Sequence, residues 1–245
     1  MILRSITRHV REQNWFAVGL DFLIVVVGVF IGIQVANWNE ERREEALGVA
    51  YLERLGDDLV AMETYLEDVI EGMRGRYSLT TALLDSASRP DVDDTELTEA
   101  TRAFMTRGWY TPNLTMIDTV FEDLSSTGNF GLIDEAIWQQ VSSYYADLER
   151  LIKNFEISQD WALRNDSRLA YDHDLFLWDE QLDALLGRPD EERLRQSVTS
   201  ARTDLARLAT TYHYIQQSAL DAYQSALEDT RRLIGQIESA SQSSQ

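Results

Sequence analysis

The side chains that could do chemistry are few, and the first set is Tyr171-Asp172-His173-Asp174 with His213 farther along the chain. Carboxylates and imidazoles on facing helices hold metal ions, so Asp172, His173, Asp174 and His213 are the set to test. Their spacing is no established ligand motif, however, and the Glu-x-x-His pairs of di-iron bundles are missing. A polar helix end is the plainer reading, and no metal or other cofactor is expected. Asp57-Asp58 and Asp93-Asp94 are paired carboxylates, as general acid–base catalysis requires, yet neighbours on a helix point in different directions. Caps and solvated faces explain them better. The chain has no cysteine and one lysine, Lys153, preceded by Ile152, which excludes thiol nucleophiles, disulfides and Gly-Lys phosphate loops. His-Glu-x-x-His and Gly-x-Ser-x-Gly are also missing, and the chain reads as a non-enzyme. Trp109, Tyr110, Trp138, Tyr144, Tyr145, Trp161 and Trp178 could line a ligand pocket between helices, but at helical spacing they read more naturally as core or partner-facing.

The second set lies in an apolar run. Between Trp15 and Trp38, residues Phe22 to Ile33 contain nothing more polar than glycine. At ~1.5 Å per residue the two indoles stand roughly 35 Å apart, enough to cross a hydrocarbon core with both at its interfaces. A cleaved signal peptide is the rival reading, and it is disfavoured because Gln34-Val35-Ala36-Asn37-Trp38 offers no small-x-small site before a charged helical run. Asp21 sits about six residues inside Trp15, where an acid costs up to ~2.5–3.5 kcal/mol and marks a partner or pathway. Gly28 and Gly32 have the spacing that lets two helices approach closely. Asp21, Val25, Gly28, Gly32 and Ala36 share one face, with Gln34 and Asn37 expected off to the side. This face is expected to pack against another membrane helix, either a second copy with Asp21 protonated or a partner's basic or polar residue.

Arg4, Arg8 and Arg11 on the N-terminal arm outnumber the two arginines in Glu40–Glu45. The positive-inside rule then puts residues 1–14 in the cytoplasm, 15–38 across a bacterial inner membrane, and 39–238 outside, in the periplasm of a Gram-negative cell. The charge is unusual: 22 basic against 42 acidic side chains give −20. With Arg4, Arg8, Arg11, Glu12 and Asp21 set aside, residues 39–245 hold 19 basic and 40 acidic groups, net −21. Such a surface repels phosphate backbones, so nucleic acid is an improbable partner, and the acidity serves solubility.

These features need long helices to position them. Three prolines and twelve glycines leave little material for turns. The anchor helix is expected to continue out of the membrane, because Leu52, Leu55, Leu59, Met62, Leu66, Val69 and Met73 alternate by three and four. It ends or kinks at Gly72 and Gly75, or runs on through Leu83, before a break at Ser86–Asp94. Thr95–Arg107 predicts a short helix stopped by Gly108, and Met116–Ser126 another, capped by Thr115 and stopped by Gly128. Asp134 is placed to cap a long helix with Ile137, Val141, Tyr144, Leu148, Leu151 and Phe155 inward. Pro189 opens the last helix, whose seam runs Leu194, Val198, Ala201, Leu205, Leu208, Tyr212, Ile215, Ala219, Ala222. The tail 239–245 reads as frayed. The fold class is all-α: one transmembrane helix continuing into an antiparallel up-and-down bundle.

Asp21, Gly28, Gly32, Gln34 and Asn37–Glu40 resemble the anchor of an uncharacterised bacterial membrane-protein family, a domain of unknown function with an acid, a Gly-x-x-x-small pair and a Gln-x-x-Asn-Trp-Asn-Glu ending. A weaker likeness covers residues 118–145, where a Thr-x-x-x-Leu-x-x-x-Gly segment precedes a helix with paired tyrosines. The resemblance implies an inner-membrane location and supplies no activity. Two functions stay open. The first is an accessory or assembly protein whose partners are the bilayer, a second copy or another membrane protein. The alternative is a periplasmic ligand-sensing bundle, which would have to signal through a partner because the arm before the anchor is only about fourteen residues long.

Overall fold

The computed structural model describes residues 15–109, 114–173, 175 and 191–243. The chain is all-α, with five α-helices among the described residues: α1 (Trp15–Ser88), α2 (Asp94–Ala103), α3 (Thr119–Thr127), α4 (Glu135–Asp172) and α5 (Glu191–Ser243). It divides into two compact units, Met1–Ala50 and Tyr51–Gln245. Residues 39–47 are exposed helix, and the first apolar side chain taken into a core is Leu52. Neither Gly72 nor Gly75 ends α1, which runs to Ser88.

The Tyr51–Gln245 unit has four legs, up, down, up and down. Its first leg, the later part of α1, and its last, α5, are antiparallel. Gly56 lies beside Ile237, Arg231 bonds Glu63 and Glu67, Tyr77 bonds His213, Thr80 bonds Gln216, and Arg202 bonds Ser86. As one residue number rises from 56 to 86, the other falls from 237 to 202. The same holds for α4 and α5, through Tyr144 with Thr230, Phe155 with Tyr223 and His173 with Asp204.

The second leg is segmented. Asp93 caps α2 by accepting from the Thr95 N–H at 3.1 Å, and Arg102 in the last turn matches the helix dipole. A π-helical turn, Phe104–Gly108, follows. Gly108 is the last residue of this turn, which Trp109 caps, and packing gives the reason for the glycine: a Cβ there would meet Phe104 Cδ2 at 2.9 Å and Leu79 Cβ at 3.2 Å. Farther down, α3 starts at Thr119 and not at Met116, and Thr115 does not cap it. The Thr115 N–H donates to the Tyr65 hydroxyl, and the Tyr145 hydroxyl donates to the Ile117 carbonyl, so other legs take the backbone groups that a longer helix would have used. The Val120 N–H is capped from α1, by Asp58 Oδ2 at 2.9 Å. Gly128, at φ +76°, closes α3 in the left-handed region, where glycine has no Cβ penalty. A 3-10 turn, Asn129–Leu132, leads to Asp134, which accepts from the Ala136 and Ile137 N–H groups.

All seven residues of the α1 seam from Leu52 to Met73 are buried, and so are Val141, Tyr144 and Leu148 of α4. On α5 the seam holds to Tyr212, Ile215 is half-buried with Gln216 taking the buried position beside it, Ala219 is buried, and beyond it the seam slips by one position. Ala222 is half-buried while Tyr223, Ala226, Leu233 and Ile237 are buried, because a 3.6-residue turn drifts against a seven-residue repeat. The tail expected to fray is helical as far as Ser243. Tyr110, Asp174, Trp178 and the segment Gly187–Asp190 lie outside the described residues, as does the N-terminal arm.

Candidate functional site

The anchor face is built on the first turns of α1. Its 18-residue apolar window has a mean hydropathy of 2.3 and none of it is buried, so this is one helix long and apolar enough to cross a membrane. Asp21, Val25, Gly28, Gly32 and Ala36 are all exposed. A Cβ added at Gly28 or Gly32 would meet nothing within 4 Å, so the notch made by the missing side chains is open to another backbone. Trp15 begins the helix, and its side chain lies outside the described residues. Trp38 closes the apolar segment and is 56% exposed, with the Arg42 guanidinium 4.2 Å above its ring. A cation over an indole one turn on joins charge to an amphipathic ring, as suits a headgroup boundary.

One placement differs from expectation. Phe30, Gln34, Asn37 and Glu41 share a shallow concavity on the helix surface. At 3.6 residues per turn, Gln34 stands roughly opposite Asp21 and Gly32, farther round than off to the side. This stretch of α1 therefore has a small-residue acidic face and, on the far side near Trp38, an amide-bearing one. The signal was present in the i, i+4, i+7, i+11 spacing of those four residues.

The histidines are not brought together. His173 Nε2 lies 3.2 Å from Asp204 Oδ2, whereas His213 sits nine positions along α5 from Asp204, where its Nε2 shares a 3.0 Å hydrogen bond with the Tyr77 hydroxyl and its ring lies over Tyr77. Nine residues of helix are about 13.5 Å. Asp172 pairs with Arg168, and among the described residues no group of three or more His, Asp or Glu side chains could hold a metal. The paired carboxylates are separated too: Asp58 caps α3, Asp93 caps α2 and Asp94 pairs with Arg202 at 3.3 Å.

The aromatics are mostly packing. Phe130, Trp138, Phe121 and Tyr145 stack in sequence at centroid spacings of 5.6, 5.3 and 4.4 Å, and Tyr144 meets Tyr145 edge-on. Trp109 is half-buried against the core; the side chain of Trp161 lies outside the described residues. Burial pushes the Tyr144 phenol up to about 12, its bond to Thr230 opposing, and pushes Tyr223 up to about 12, aided by Tyr65. Tyr145 is raised as well, mainly by burial.

Sequence reasoning missed two polar devices. Arg202, on α5, donates to the carbonyls of Ser86, Arg89 and Val92 and to Asp94, so one guanidinium gathers the end of α1 and the start of α2. Gln216 is fully buried, accepting from Thr80 at 2.7 Å and donating to the Gly108 carbonyl at 2.6 Å. Only a buried glutamine on an otherwise apolar stripe hinted at the latter. Compared with protein-family models, with curated proteins and with solved structures, the chain matches none.

Proposed function

We propose that this is a non-enzymatic, single-pass membrane protein with an accessory or assembly role, acting through helix–helix contacts in the bilayer and through its helical bundle. The observation that carries the reading is the uncovered first stretch of α1: apolar, wholly exposed, and bearing Asp21, Val25, Gly28, Gly32 and Ala36 on one open face. Hydrocarbon covers the apolar side chains, but a carboxyl there requires a partner, and the two glycines let a partner's backbone approach it. That partner is a second copy, with Asp21 protonated and hydrogen-bonded, or another membrane protein with a basic or polar group at that depth. The arginine bias supports an N-terminus in the cytoplasm of a bacterium and a bundle on the periplasmic side of the inner membrane.

Cross-linking and mild-detergent co-purification of the full chain from native membranes test this. The expected result is a self-oligomer or a stoichiometric membrane partner that is lost in both Gly28→Ile and Asp21→Leu. An unchanged assembly in both variants would sink the packing face, and a monomer holding a small molecule would favour a ligand-sensing bundle. A reporter fused after Gln245 and active only in the cytoplasm would reverse the orientation.

A further inference from the structure

Among the described residues, the Tyr51–Gln245 unit contains two apolar clusters of buried residues, not one. The larger holds 22 buried residues, drawn from Leu52–Met73, from Leu114–Leu148 and from Ala219–Ile237. The smaller holds 13, drawn from Leu83–Phe104, Leu175 and Leu194–Tyr212. At the level where one gives way to the other, the interior is polar. Thr80 and Gln216 are fully buried and bonded to each other, Gln216 reaches on to the Gly108 carbonyl, and Tyr77 bonds His213 beside them. The second leg has its π-helical turn, Phe104–Gly108, at this same level. A buried amide with its hydrogen bonds satisfied holds register but adds little apolar burial. Among the described residues the two clusters have no buried residue in common, and α1, α4 and α5 run through both levels.

We propose that this polar layer divides the bundle into two cooperative parts, and that the half containing α2, the end of α1 and the first half of α5 opens by itself while the half built on Leu52–Met73 stays folded. The order follows from size, since each buried leucine contributes about 1.5–3 kcal/mol and, among the described residues, the smaller cluster has fewer of them. Opening at the layer breaks the Thr80–Gln216–Gly108 chain and frays α1 and α5 from Ser88 and Glu191 inwards. It gives the molecule a second conformation in which the larger cluster is intact.

Native-state hydrogen exchange of the full chain in detergent micelles tests the division. Amides of residues 83–103 and 194–212 are expected to exchange at least about tenfold faster than those of 52–73, 137–151 and 219–237. Leu205→Ala, in the smaller cluster, is expected to speed the first set by a further ~30-fold or more and to leave the second set unchanged. Uniform exchange in the unsubstituted chain, or equal acceleration of both sets in the variant, overturns the proposal. Should Leu205→Ala fail to fold, Val198→Ala makes the same comparison with a smaller truncation.

Discussion

Arg202 ties two helix ends together through one side chain. Its guanidinium reaches three main-chain carbonyls and one carboxylate, at 2.9 to 3.3 Å, where α1 ends and α2 begins. Those carbonyls fall at a helix C-terminus and in the turn after it, where acceptors lack intrahelical donors. Arg202→Met keeps the aliphatic stem and removes every donor, so a loss of about 1.5–3 kcal/mol is expected, read as a lower urea midpoint of helix CD. Arg202→Lys recovers little, because one ammonium cannot replace a planar fork of donors. A midpoint unchanged in the methionine variant would show the contacts to be idle. Nothing in the local sequence distinguishes Arg202 from the solvated arginines around it, since its acceptors lie more than a hundred positions away. His213 was legible as a candidate only by residue type; its bond to Tyr77 spans two helices and follows from their register.

The long helices could be read from their residues because the 3,4 alternation of leucines reports directly on a buried stripe. The seam from Leu52 to Met73 and that from Leu194 to Tyr212 needed no tertiary information. The second leg could not be read so. The start of α3 depends on what Tyr65, Tyr145 and Asp58 do to the chain around residues 115–120, and those groups come from other legs. Asp58 is in effect the N-terminal cap of a helix that begins 61 residues later at Thr119. Asp58→Ala is expected to cost about 1 kcal/mol in urea unfolding and to speed amide exchange selectively at the first turn of α3. Equal protection there in both proteins would mean that water replaces the carboxylate without penalty. The face on the anchor was legible for a simple reason: helix periodicity alone sorts Asp21, Gly28 and Gly32 together. What covers it was not, since nothing in the chain's own described residues packs on it.

Across the whole molecule, alkaline pH is the sharpest probe of the larger core. Tyr144 and Tyr223 are each held up to about 12 by burial, against about 10 in an unfolded chain. Below pH 10 both are neutral whether the chain is folded or not, and their contribution is complete. Between pH 10 and 12 only the unfolded state gives up those protons, so stability falls, by up to ~1.4 kcal/mol per pH unit for each tyrosine. Urea midpoints are expected to decline over that window, and the decline should be shallower in a Tyr144→Phe, Tyr223→Phe double variant; equal slopes would refute the assignment. The up-down-up-down order also governs synthesis. The leucine seam that α1 presents from residue 52 onwards receives its cover partly from Tyr223, Leu233 and Ile237, which are made some 170 residues later. An incomplete chain leaves that stripe wet. Folding of the larger core therefore waits for the last helix to emerge, and any product cut short before it carries an apolar ribbon for proteases and chaperones to find.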